Sequence, residues 1–292
     1  MELLQDTYKD TKIGRIPKDW EVISISELGK ISTSSVDKKS KVEETKVSLI
    51  NYMDVFGSLN KKITKAIDFM TVTARDTQLI KSQVKKGDVL FTPSSETKKD
   101  IGISAVVYED LPKTLFSYHL LRLSFIKELN LEFKCYLFNS ETILKQFELL
   151  SQGLTRYTIG LGNFNEIFIP LPPLPEQQKI ADILSTVDEQ ISITDKSIEK
   201  SKELKKGLMQ KLFSEGIGHT EFKDTKIGRI PKDWDFDKLS NLINLKHGYQ
   251  FRTDDFTEVG IPIIKINNIT GGELDTQNLS FIDSNRLNQF KG

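Results

Sequence analysis

The residues best placed for chemistry in this chain are acids and lysines around a short apolar run. Asp88 precedes Val89-Leu90-Phe91, and Glu96-Thr97-Lys98 follows it. Carboxylates with a nearby lysine are the set a nuclease gathers around a metal ion. The spacing imitates that set without completing it. Asp88 opens its expected strand instead of closing it, and Glu96 and Lys98 stand in a Ser/Pro loop, so no catalysis is expected there. Leu171-Pro172-Pro173-Leu174 lacks the polar leader and the aromatic of a methyltransferase motif and reads as an extended linker. No G-x-x-x-x-G-K-[ST] phosphate loop occurs. Cys135 is the one cysteine and has no Cys or His at metal-ligand spacing, so it reads as a small half-buried apolar side chain. No metal or cofactor is expected in this chain.

The elements that would position these residues are mixed. Lys46 to Val55, Gly87 to Pro93, Asp100 to Asp110 and Asn165 to Pro175 hold short apolar, partly β-branched runs bounded by Gly, Asn and Pro, which predicts strands. Residues 131–153 carry apolar side chains at helical spacing (Phe133, Leu137, Ile143, Leu144, Phe147, Leu150), with Gly153 as the expected C-cap. From Pro175 the apolar residues recur near a 3.5-residue period: Ile180, Leu184, Val187, Ile191, Ile198, Leu208 and Leu212. Thr194, Ser201 and Lys205 fall in the same series and weaken it. This predicts one helix to about Phe213, ~57 Å long, stopped by Ser214-Glu215-Gly216. A narrow apolar seam of that length calls for a partner helix, as in a coiled coil.

The chain has 292 residues, 38% of them hydrophobic and 28% charged, enough for about two domains. Lys plus Arg and Asp plus Glu are both 41, which leaves room for a local basic face but not for uniform basicity. No run approaches a membrane span and the N-terminus has no signal-peptide pattern, so a cytoplasmic protein is expected. KDTKIGRIPKDW stands at residues 9–20 and again, unchanged, at 223–234. The text after each copy diverges. The only tryptophans, Trp20 and Trp234, close the two copies and are expected to anchor each segment by burying a large ring. Residues 261–276 can be laid over 47–62, and the closing Lys291-Gly292 falls where Lys86-Gly87 stand in the first half. The expected order is α+β: a β-rich domain over 1–172, a spacer helix over 173–215, and the N-terminal part of a second such domain over 216–292.

This order resembles the specificity subunit of type I restriction-modification systems (HsdS). The residues that carry the resemblance are Ile13 to Trp20, Gly87 to Leu90, Ser117-Tyr118-His119, Ile169 to Leu184, Lys206 to Phe213, and Gly248 to Ile269. It covers the whole chain, which departs from the family in showing one spacer and an incomplete second domain. The resemblance implies a non-catalytic subunit whose variable domains each read half of a bipartite site in double-stranded DNA. It implies methyltransferase subunits that carry S-adenosylmethionine, and a restriction subunit that carries ATP and Mg²⁺. A lone spacer seam further predicts a homodimer with antiparallel helices. A coiled-coil protein that binds no DNA, or an inactive truncated product, is the alternative.

Within that reading, phosphates call for Lys, Arg, Ser and Thr, and base edges for polar side chains. Three loops qualify. One holds Thr92, Ser94, Ser95, Thr97, Lys98 and Lys99; the second holds Gln152, Thr155, Arg156 and Tyr157; the third holds Tyr118 and His119. The second ranks first, because Gln and Arg can pair bidentately with adenine and guanine. Lys61 and Lys62 are a weaker phosphate pair.

Overall fold

The computed structural model describes residues 7–245 and 247–285. They form two compact units that divide at Lys202 and Glu203. The first unit is built on a five-stranded sheet in the order Gly29–Thr33, Leu121–Phe125, Val89–Phe91, Ser104–Val107, Lys62–Ile63. All neighbours are antiparallel except the last pair. A three-stranded sheet orders Thr114–Phe116, Thr45–Ile50 and Met70–Ala74.

The apolar run Val89-Leu90-Phe91 is continuous because its strand is covered on both faces. Side chains alternate across a strand. Val89 and Phe91 therefore enter one core cluster, while Leu90 enters the other. Phe91 meets Phe138 and Phe164 edge-on, with ring centroids 5.3 and 5.0 Å away.

Three local expectations change. The strand from Lys46 stops at Ile50, where Asn51 begins the short helix Tyr52–Phe56. The helix expected over 131–153 is two helices, Leu131–Leu137 and Glu141–Leu150. Asn139 breaks it: its side-chain carbonyl accepts from Ser104 N at 3.0 Å and its amide donates to Ser104 O at 3.1 Å. A side chain committed to the sheet edge draws its backbone out of the helix, and Ser140 starts the next one. The second helix ends at Ser151, so Gly153 is not its cap.

The long helix runs Leu174–Glu215, 42 residues or ~63 Å. Its first turns are clamped to the first unit. Gln177, 1% exposed, accepts from Asn130 N at 3.0 Å and donates to Pro172 O at 2.9 Å. Trp20 Nε1 donates to Glu176 at 3.0 Å, Tyr136 OH donates to Asp188 at 2.8 Å, and Ala181 is fully buried. Gly216, at φ 68, stops the helix in a left-handed conformation that disfavours other residues.

The duplicated segments fold alike. Tyr8–Thr11 pairs with Gly14–Pro17, and Phe222–Thr225 pairs with Gly228–Pro231 in the same register. In both turns a threonine hydroxyl donates to a glycine carbonyl at 2.6 Å. Trp20 and Trp234 are only half-buried. Trp20 anchors by its hydrogen bond, and Trp234 lies edge-on to His219 at 6.0 Å.

The second unit repeats one device of the first. Its strand Ile261–Ile263 pairs antiparallel with Ser280–Ile282, as Thr45–Ile50 pairs with Met70–Ala74. After the strand, Asn51 N donates to Asp54 in the first unit, and Lys265 N donates to Asn268 in the second. The expected overlay of 261–276 on 47–62 therefore has a structural counterpart; Lys291-Gly292 lie outside the described residues. Among the described residues beyond Glu203, Ile230, Pro231 and Ile282 are the buried apolar side chains.

Candidate nucleic-acid interface

One rung of the central sheet organises the candidate loops. Leu121 pairs with both Thr33 and Phe91, and Phe91 pairs with Ser104. Antiparallel pairing sends the chain out at this rung from strand after strand. Residues 34–44 leave after Thr33, residues 92–103 join Phe91 to Ser104, and Tyr118-His119 arrive just before Leu121. All three open at the same end of the sheet.

The Lys98 and Arg156 loops are joined directly. Ser94–Ser95 pairs antiparallel with Tyr157–Thr158, and Gln152 and Thr158 exchange backbone hydrogen bonds at 2.8 and 2.9 Å. Residues 152–158 thus form a tight loop hung on the first. Gly153 sits at φ 137, and a Cβ there would stand 2.0 Å from Arg156 O, so the turn requires glycine. Arg156 Nη2 donates to Ser94 Oγ at 3.2 Å, and Lys98 Nζ lies 5.5 Å from the Tyr157 ring centre. Leu154 stands 94% exposed at the tip.

The structure sorts the predicted residues. Thr97, Lys98, Lys99, Tyr118, Gln152, Thr155 and Arg156 are exposed. Ser94, His119 and Tyr157 are half-buried, and Tyr118 lies against His119 with ring centroids 3.8 Å apart. Thr92 and Ser95 are buried, which removes them from the accessible set. The Thr92 hydroxyl donates to Ile103 O, and Ser95 Oγ accepts from Thr97 N. Lys62 is also spoken for: it forms a 2.6 Å ion pair with Glu132.

Sequence reasoning passed over residues 34–44. Lys38, Lys39 and Lys41 are exposed there, and Tyr118 N donates to Val36 O, which ties this loop to the third candidate. The signal was present as Asp37-Lys38-Lys39-Ser40-Lys41, a polar basic run between two strands.

The nuclease-like pattern is taken apart. Asp88 and Glu96 lie beyond opposite ends of the strand Val89–Phe91. Asp88 is buried and accepts from Lys85 N at 2.9 Å. Among the described residues no group of three or more His, Cys, Asp and Glu could hold a metal, and no helix is long and apolar enough to cross a membrane. Burial pushes the Cys135 thiol up to about 12.

On the long helix, Leu184, Val187, Ile191, Ile198, Leu208 and Leu212 are exposed, the first at 38% and Ile191 at 54%. Thr194 and Ser201 fold their hydroxyls back onto carbonyls one turn earlier, at 2.8 and 2.9 Å, so they place no unpaired donor on the seam. Ile180 differs from the prediction. It is half-buried and packs against the larger core cluster of the first unit.

A constant entrance, a sheet with loops gathered at one end, and a clamped helix with a bare apolar seam now stand together. Residues 17–203 match the family described as the type I restriction modification DNA specificity domain. The chain belongs to this family. Two relatives from Methanocaldococcus jannaschii are similar over most of the chain. The type I restriction enzyme MjaVIII specificity subunit is 29% identical over 98% of this chain and 64% of its own length. The putative MjaX specificity subunit is 29% identical over 81% of this chain and 56% of its own length. The chain thus spans roughly six-tenths of these relatives. A solved structure described as showing complex assembly and conformational transition of the type I R-M system shares the fold, with TM-score 0.50 and 18% identity over 73% of this chain and 50% of its own.

Proposed function

We propose that this specificity subunit reads half of a bipartite duplex site with the loops at the Thr33–Leu121–Phe91–Ser104 end of its central sheet. The observation that supports it is convergence: two of the loops nominated by their chemistry leave from one rung, and the third is hung on one of them by a strand ladder. Lys38, Lys39, Lys98 and Lys99 hold phosphates; Gln152 and Arg156 read base edges. Residues 1–172 act as the recognition domain, 173–215 as the spacer, and 216–292 belong to a second recognition domain. The clamp at Gln177, Trp20 and Tyr136 makes the spacer a rigid ruler, because it fixes the helix axis to the reader.

The subunit docks methyltransferase subunits, which carry S-adenosylmethionine, and a restriction subunit, which carries ATP and Mg²⁺, in the cytoplasm. The seam from Leu184 to Leu212 takes a second copy of this chain, with the helices antiparallel. The resulting homodimer presents two equal readers to symmetric half-sites. Exposed β-branched and leucine side chains along one helix favour this over a solitary chain. A helix-binding protein without DNA shares the seam but leaves the loop cluster unused.

Duplex binding of the chain, with its methyltransferase partner, tests the reading. Affinity falls steeply with salt, with a slope of about −0.9 per phosphate neutralised. No duplex binding at low salt, in a preparation that holds the methyltransferase, refutes the assignment.

A further inference from the structure

A buried lysine lies far from the reading loops, and nothing in the reading of DNA bases uses it. Lys134, 6% exposed, rises from the helix Leu131–Leu137 toward the start of the strand Val89–Phe91. Its ammonium has three N–H donors. Among the described residues its one hydrogen-bond acceptor is Gly87 O, at 3.0 Å, and it lies 3.7 Å over the Phe125 ring. Burial holds the ammonium at a pKa of about 8. An ammonium kept out of water with donors unspent is costly unless something else accepts them.

What it faces is a cleft of about 440 Å³, lined also by Lys85, Lys86, Gly87, Asp88 and Arg122. The lone carboxylate, Asp88, accepts from Lys85 N at 2.9 Å, stands 3.9 Å from Arg122, and offsets only part of the burial of Lys134, whose ammonium stays depressed. Arg122 belongs to the framework: it donates to Ser32 Oγ, Gln83 O and Lys81 O. The lysines are therefore the groups free to meet a ligand. A second hollow of about 500 Å³ shares Ile80, Arg122 and Ser124 with the first. It adds Lys30 and Lys81 and reaches Thr33, on the rung where the reading loops begin. The two share a wall along the sheet, with lysines in both and Asp88 as the one carboxylate, and they run to the reading rim.

We propose that the first cleft binds phosphate, with Lys134 as its buried anchor and Lys85 and Lys86 at its mouth. Lysines serve as point charges for phosphate, and the wall of the first cleft, where Lys134 lies, is more polar than apolar, which suits an anion. The proximal source is the backbone of a nucleic acid held at the rim, in which case the inference rests on the reading proposed above. A free phosphate compound is the other source, and it does not.

The test has two arms, both on the full chain. Pyrophosphate is titrated by calorimetry against wild type, Lys134→Met, and the pair Lys85→Gln/Lys86→Gln, each checked for native circular dichroism. The expected result is one site, weakened about tenfold or more by Lys134→Met and by the mouth variant in part. The mouth variant changes exposed side chains and keeps the test decisive if Lys134→Met does not fold. No pyrophosphate binding, or binding that neither variant weakens, overturns the proposal. The second arm measures duplex affinity against salt. A slope shallower by about 0.9 in Lys134→Met assigns the site to DNA phosphate. An unchanged slope with pyrophosphate binding intact in wild type assigns it to a free phosphate compound. Loss of all duplex binding in wild type strikes the DNA reading and leaves the pyrophosphate arm standing.

Discussion

Gln177 is the residue on which the attachment of the long helix most depends. Its side chain bonds Pro172 O, which is buried, and Asn130 N, which is partly buried. Gln177→Leu keeps the bulk and removes both bonds. An unmatched buried polar group costs about 1–3 kcal/mol. The Pro172 carbonyl bears the full cost, and Asn130 N bears less because water reaches it. The added apolar atoms return part of the loss. The net destabilisation is about 1–4 kcal/mol, which for a unit of this size lowers Tm by roughly 3–12 °C. Denaturant unfolding measures the first number and calorimetry the second. Hydrogen exchange localises the effect, with the Asn130 amide and the amides of the first helical turns losing protection. Gln178→Leu is the control: Gln178 is exposed and bonds Asn130 and Asp182 side chains, so its loss stays within about 0.5 kcal/mol. A Gln177→Leu protein as stable as wild type, with Asn130 still protected, refutes the clamp.

Other outcomes follow from the same structure. Phe91→Ala empties the centre of the aromatic cluster and destabilises the first unit by about 3–5 kcal/mol in urea unfolding. Ile191→Glu places a charge in the exposed seam; light scattering is expected to show a dimer for wild type and a monomer for the variant, at unchanged circular dichroism. The Lys134 pKa is depressed from 10.5 to about 8 in the folded protein, so the unfolded chain binds more protons above pH 8. Stability from this group therefore rises between pH 8 and pH 9, before the raised Cys135 thiol begins to oppose it. Lys134→Met removes that rise.

Much of the frame was legible because its signals are local and periodic. The helix from Leu174 announced itself by a sustained apolar period and by its glycine stop. Val89-Leu90-Phe91 read as a strand, since a short apolar run between Gly87-Asp88 and Pro93 has few other uses. What failed was decided at long range. Asn139 looks like any helix-tolerated residue until Ser104, far away in sequence, takes both ends of its amide. Thr92 and Ser95 have the chemistry of nucleic-acid contacts, but Thr92 is buried with its hydroxyl on Ile103 O, and Ser95 is buried in the ladder with Tyr157–Thr158. Ile180 shares the seam's period, yet the first unit's core claims it. The gathering of three loops at one rung depends on strand order, and strand order is not written in any single segment.

The most direct measurement is the methylation pattern of a host genome that expresses this chain with its methyltransferase subunit. Long-read methylome sequencing is expected to return one short bipartite motif with symmetric halves, which changes or disappears with Arg156→Ala. Methylation that follows no motif, or a motif that persists in a host lacking this chain, contradicts the assignment of sequence choice to this subunit.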